Sequence, residues 1–169
     1  MTSAELLTEA FGRVGSLCRR ALDGCDEALL AGRPDAAANS IAWLVWHLTR
    51  IQDDHVAKAA GSEQRWTSGG WCERFDLPFA PAATGYGHGP DEVALLGAVP
   101  GELLLGYHET VLVATLAFVG GLADGDLDRV VDTSYEPPVT LGVRLVSVLS
   151  DNLQHAGQAA YAKGILTRR

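Results

Sequence analysis

The sequence predicts an all-α protein, a four-helix bundle closed by one long crossover segment rich in aromatic residues, glycine and proline. Three observations predict it. Apolar residues recur near 3.6-residue spacing over four long stretches, and Gly and Pro punctuate their ends. No stretch alternates with period two for long enough to build a sheet. With 169 residues, 47% hydrophobic and 20% charged, the chain reads as a single globular domain spanning 1–169.

The first helix is expected from about Ser3 to Leu30, with Leu7, Phe11, Val14, Cys18 and Leu22 among its apolar positions, stopping before Gly32. Cys18 and Cys25, seven apart, would share one face of it as small buried thiols. With Cys72 they make an odd set without CxxC spacing, which disfavours a disulfide frame or a thiolate metal site. The second helix runs from a cap at Asn39 or Ser40 to a left-handed stop at Gly61.

Residues 62–89, "SEQRWTSGGWCERFDLPFAPAATGYGHG", show no convincing periodicity. So long a connection reads either as a lid or pocket wall, or as an ordered cover in which Trp66, Trp71, Phe75 and Phe79 shield the core. The third helix is expected from Pro90 to about Val119, split at Pro100 so that Gly101 to Leu122 is its main piece. The fourth runs from Thr140 to Leu166, and "RVVDT" ahead of it is a candidate for a short strand pairing.

A formal charge of −8, with thirteen Lys and Arg scattered and none in a run, argues against nucleic acid and membrane surfaces as partners. The N-terminal stretch lacks the continuous apolar block of a signal peptide or a span, and a cytoplasmic protein is expected. No nucleophile elbow, phosphate loop or dinucleotide fingerprint occurs.

What remains is a set of polar residues on helices otherwise made for a core. Asp151 and His155 are four apart, hence on one face, and Arg144, Ser147 and Gln158 share their arc. A carboxylate and an imidazole so spaced form a clamp for a divalent cation that needs a third ligand from elsewhere. His47, set among Trp43, Leu44 and Ile51, should face inward. A buried imidazole needs a partner for each ring nitrogen, so His47 reads as that third ligand or as a hydrogen-bonded core residue. Asp53, Asp54 and His55 fit a pocket rim or a solvated helix end. His108 is expected at the surface, and His88 in a glycine-rich turn.

"WLVWHLTRIQDDH" followed by "SDNLQHAGQAAYAKGIL", with "GYGHG" and "LLLGYHE" between, resembles the DinB-like superfamily of metal-binding four-helix bundles, in particular its mycothiol-dependent transferase and maleylpyruvate isomerase branch. The resemblance covers essentially the whole chain. It implies that a divalent metal is held by one His of the second helix and an i, i+4 pair of the fourth, which here are His47, Asp151 and His155. Asp151 is a departure, since relatives carry His or Glu there, and the shorter carboxylate must reach the ion by about one methylene less.

The metal so implied is zinc, with nickel, iron or manganese as alternatives. The cosubstrate implied is mycothiol or a related small thiol such as bacillithiol, whose metal-bound thiolate would attack a small electrophile lodged against the aromatic segment. That makes the expected activity a thiol S-transferase, with no catalytic residue assigned beyond the metal site. Arg50, His55, Tyr107, Arg144 and Gln158 are expected to line the cofactor or substrate pocket, with Arg50 and Arg144 as partners for a carboxylate. The isomerases of this branch carry an additional C-terminal domain, and with none before Arg169 isomerase activity is not expected. Two other readings stay open: a hydrolase using water at the same metal, and a non-catalytic dimeric module for ligand binding or stress response. Apolar residues at Leu103 to Leu105 and Val111 to Val113 suit a homodimer.

Overall fold

The computed structural model describes residues 1–168. Four long helices, α1 (Ser3–Leu22), α3 (Ile41–Ala60), α7 (Gly101–Gly120) and α8 (Leu141–Leu166), form the bundle. The short helices α2 (Glu27–Ala31), α4 (Arg65–Ser68), α5 (Trp71–Phe75) and α6 (Pro90–Ala94) lie in the connections, and β1 (Val130–Asp132) pairs antiparallel with β2 (Val139–Thr140). The all-α reading therefore stands, and the "RVVDT" pairing is present.

The caps explain where the helices begin. Thr2 and Glu5 close a capping box on α1, Ser40 accepts from the Trp43 amide of α3, and Thr140 accepts from the Val143 amide of α8. The first helix is shorter than its apolar pattern suggests. Gly24 adopts φ +66°, which breaks the helix after Leu22, and Asp26 caps a separate α2 through the Leu29 amide. Cys25 consequently sits in the break and not on the face of Cys18. Burial pushes the Cys18 thiol up to about 12, so it is inert packing.

Cross-helix bonds fix the directions. Arg19 pairs with Glu109, and the Ser3 amide reaches Asp124 beyond the far end of α7, so α1 and α7 are antiparallel. Thr49 meets His108 and Gln52 meets Thr115, both numbers rising together, so α3 and α7 are parallel. Asn152 meets Gln52 while His155 meets His47, which makes α8 antiparallel to α3. Lys163 donates to the carbonyls of Arg20 and Asp23, leaving α1 and α8 parallel neighbours. The arrangement is up-down-down-up, and the parallel step from α3 to α7 requires a connection that travels back along the bundle.

Helix α3 is the buried centre: every residue from Ile41 to Arg50 is shielded. Its Trp46 packs with Trp66, Trp71 and Phe75 of the crossover and Tyr107 of α7 in one cluster. Each such ring contributes roughly 1.5–3 kcal/mol on burial, so the crossover aromatics hold the connection against the bundle. That connection is more regular than its sequence pattern suggests, because α4 is capped from outside its own sequence. Asp53 accepts from the Arg65 amide at 2.8 Å, the Trp66 amide at 2.7 Å and the Tyr107 hydroxyl at 2.8 Å. Asp53 is thus no part of a solvated helix end.

His108 also departs from its expected surface position and is fully buried. The Thr49 hydroxyl donates to the Val45 carbonyl, so His108 Nδ1–H donates to Thr49 Oγ1 at 3.0 Å. Burial, with Arg19 nearby, depresses its pKa to about 4 and keeps the ring neutral. Helix α7 is apolar and long enough to cross a bilayer by length and composition. Its side-chain bonds to α3 and its packing between α1 and α3 make it a core helix of the bundle.

Candidate metal centre

His47 projects from the middle of α3 and is 5% exposed. The Trp43 ring, one turn earlier, stacks on it at 4.5 Å and 12°. Its Nδ1 lies 2.6 Å from the Thr84 carbonyl oxygen. A carbonyl only accepts, so Nδ1 carries the proton and Nε2 is left with its lone pair free. Burial holds the His47 pKa below the usual imidazole range, with the Thr84 bond opposing it, and the ring is neutral at pH 7.

From α8, His155 faces His47 edge-on at 4.8 Å between ring centroids. Its Nδ1 donates to Gln158 Oε1 at 2.8 Å, one turn further along, which again turns Nε2 inward. Asp151 Oδ1 stands 3.5 Å from that Nε2. The bond to Asp151, aided by Gln158 and opposed by burial, raises the His155 pKa. The other carboxylate oxygen, Asp151 Oδ2, is buried and has no hydrogen-bond partner.

These groups fit a divalent cation. An unpartnered buried carboxylate oxygen is costly unless a cation meets it, and both imidazoles have their Nδ1 protons fixed on side-chain or main-chain oxygens in the way metal-ligating histidines do. The donor atoms of His47, Asp151 and His155 all lie within 4.8 Å of one another. Ligands of a tetrahedral zinc stand about 3.4 Å apart, so the widest pair closes by about 1.4 Å at most to seat an ion.

The bundle interior sets the rotation of α8. Asn152, next to Asp151, donates to Gln52 Oε1 at 2.6 Å, and Gln52 donates to Thr115 Oγ1 at 2.8 Å. This chain joins α8, α3 and α7 and leaves Asp151 and His155 turned toward His47. From the other side the crossover supplies a wall. Gly85, at φ +92°, runs so close to α3 that an added Cβ would lie 2.9 Å from His47 Nδ1 and 2.9 Å from Trp46. His88 stacks on Trp46, contacts Phe79 at 4.6 Å, and accepts at Nδ1 from Trp43 Nε1–H at 3.3 Å.

Of the expected pocket residues, Gln158 stands at the cluster through His155. Arg50 and Tyr107 lie away from it in a buried network. Arg50 is fully buried and donates to the carbonyls of Ala83 and Pro81, to Gln64 Oε1 and to the Tyr107 hydroxyl. By gripping Ala83 it places the Thr84 carbonyl over His47, so it anchors the wall and has no free face for a ligand carboxylate. Arg144 pairs with Asp132 at 2.7 Å, and His55 lies 3.6 Å from Asp54, both beside a small separate cleft. Thr84, Gly85 and His88 are the site neighbours that residue patterns did not assign to the cluster. The glycine spacing of "GYGHG" was the one signal pointing to them.

Fold and cluster together define a helical bundle whose facing helices present a His, Asp and His set suited to a divalent cation. The DinB superfamily model matches residues 10–159, and the chain belongs to that superfamily. Among solved structures it is similar to one titled as a conserved protein of locus from Enterococcus faecalis, with a TM-score of 0.91 and 28% sequence identity, covering 100% of this chain and 99% of that one. Compared with curated proteins, the chain finds no match.

Proposed function

We propose that this protein is a metal-dependent S-transferase for a low-molecular-weight thiol of the mycothiol or bacillithiol kind, acting on small electrophiles. The observation that carries the reading is the convergence of His47, Asp151 and His155, with both imidazole Nδ1 protons engaged elsewhere. Two neutral imidazoles and one carboxylate would hold a divalent cation, most simply zinc, at a net charge of about +1, and a cation so held favours the deprotonated form of a thiol at neutral pH.

The chain's own residues supply the rest. Thr84 and Gln158 fix which nitrogen of each imidazole faces inward. Trp43, Trp46, Phe79 and His88 form an aromatic wall that suits a soft sulfur and a carbon electrophile. In the transfer itself a sulfur–carbon bond forms while the leaving group departs with its electron pair, and the thiol proton passes to solvent. A cytoplasmic setting, where such thiols are kept reduced, accords with the free cysteines.

The test is metal analysis of the purified protein, followed by conjugation assays with added thiol and a panel of small electrophiles. Activity that needs both metal and thiol, and that disappears in His47→Ala and His155→Ala, supports the proposal. Full conjugation after the metal is stripped refutes it, and turnover of esters or amides without thiol replaces it with a hydrolase.

A further inference from the structure

We propose that the outer face of α8 is a contact between two copies of this chain, the two helices lying antiparallel about a two-fold axis near Leu153. Among the described residues, ten positions of α8 between Val143 and Tyr161 are exposed and none is charged. Helix α1 shows what an ordinary solvated face of this protein looks like: seven exposed positions, five of them charged. The bare face of α8 also carries large apolar groups. Val143 is 59% exposed, Val146 64%, Leu153 46% and Tyr161 70%.

The spacing of that face is the spacing of a helix–helix seam. Val143, Val146, Ser150, Leu153, Gly157 and Ala160 follow one another at alternating steps of three and four residues. Run backwards against itself, the stripe is self-complementary, as a two-fold contact demands. Val143 then meets Gly164, Val146 meets Ala160, Ser150 meets Gly157, and Leu153 meets its own copy on the axis. Valines fall opposite small residues at the two outer steps, Ser150 and Gly157 let the backbones approach, and the Leu153 pair fills the centre.

Charge selects the same occupant. Each copy carries −8, so two copies repel at any face bearing acids, and the uncharged face of α8 lets them meet with those acids held at the periphery. An anionic lipid surface would repel a chain of this charge.

Area selects which elements take part. Twenty-six residues of helix, about 39 Å long and about 10 Å wide, offer roughly 400 Å², against about 800 Å² per partner in a standard stable interface. Helix α1 runs parallel beside α8, with Leu17 and Leu149 packed on one cluster and Leu6 58% exposed. Five of the seven exposed positions of α1 are charged, however, so beyond Leu6 its face stays at the edge, and the α8 seam makes a small, concentration-dependent contact. The exposed Val113 of α7 has no such setting, since Leu104, Val111 and Leu112 of that helix are buried in the core.

The experiment is light scattering and sedimentation equilibrium on the full chain, with and without bound metal. Wild type is expected at about 36 kDa, twice the 17.9 kDa chain mass. Leu153→Glu, which sets two carboxylates face to face on the axis, and Val146→Glu, which buries one against Ala160 at each end, should each weaken association by roughly 100-fold or more while circular dichroism stays unchanged. Val113→Glu should leave the mass as it is. As a measurement that does not depend on those substitutions, Leu153→Cys should cross-link to its own copy with a short bismaleimide above the wild-type background, and Val113→Cys should not. A monomeric wild type at its solubility limit overturns the proposal. So does a dimer indifferent to both glutamates, or a monomer that binds lipid vesicles through Val146 and Leu153. None of these outcomes bears on the metal reading.

Discussion

Replacing His108 with leucine should change how the stability of this protein responds to acid. The ring is fully buried, its Nδ1 proton lies on Thr49, and its Nε2 has no partner, so protonation would place a charge in the core. Its folded pKa of about 4 lies below the ordinary value of 6.5, which means the unfolded chain binds the proton more readily. The stability it contributes is therefore fully present above pH 6.5 and is lost as pH falls toward 4. From those two values the loss is about 2 kcal/mol by pH 5 and about 3 kcal/mol by pH 4. Leucine is of similar volume, leaves Thr49 bonded to Val45, and removes both the titration and the orphaned nitrogen.

Urea unfolding of the two proteins at intervals from pH 7.5 to pH 4 gives the difference profile directly. His47 and His55, whose pKa values are also lowered by burial, add a drop of the same sign to both proteins and cancel in the difference. Leucine should flatten the acid side of the curve by the amount stated. Parallel curves for the two proteins between pH 7 and pH 4 would refute the reasoning, because they would mean that His108 takes up its proton without unfolding.

Metal content should fall below detection by elemental analysis in Asp151→Ala, since a carboxylate and the only anionic ligand is lost, while circular dichroism stays helical. Metal affinity should decline as pH falls through the raised pKa of His155, by about tenfold per pH unit below it, whereas His47 is already neutral and adds nothing until lower pH; competition titration with a chromophoric chelator measures this. Gly85→Ala should lower metal affinity by roughly 10–100-fold, because its Cβ meets His47 Nδ1 and displaces the Thr84 carbonyl, and the same titration checks it. Asp53→Ala should cost about 3 kcal/mol or more, leaving Arg50 buried without its nearest carboxylate and α4 without its cap, and calorimetry should show a melting temperature lower by about 10 °C.

The long helices were legible in the sequence because their apolar periodicity and their caps are local properties. Thr140, Ser40 and Gly61 act on residues three or four positions away, and α3, α7 and α8 end within a residue or two of where the pattern places them. The break after Leu22 was not legible, since the apolar spacing continues through Cys25 and Leu29 and only the φ of Gly24 interrupts it. The three clustered side chains His47, Asp151 and His155 were legible because two share a helix face and the third sits among inward apolar neighbours. Their surroundings were not. Asp53 caps a helix twelve residues on, Arg50 reaches Ala83, and Thr84 comes down on His47 from a segment with no periodicity of its own. Such contacts are set by how the connection folds back, and no local spacing encodes that return. His108 was misplaced for a related reason: a charged-looking triplet with Tyr107 and Glu109 hides the fact that only Glu109 reaches the surface.

Because α3 and α7 point the same way, the chain between them traverses the molecule from one end to the other and drapes over the flank where His47 lies. The His47, Asp151 and His155 cluster comes from the long helices, whereas the wall beside it comes from this return path. Substitutions and length changes in residues 76–89 can thus reshape the surroundings of His47 without disturbing the helical frame that holds the cluster together. The longest connection alone thus decides what faces the cluster, while the four long helices stay as they are.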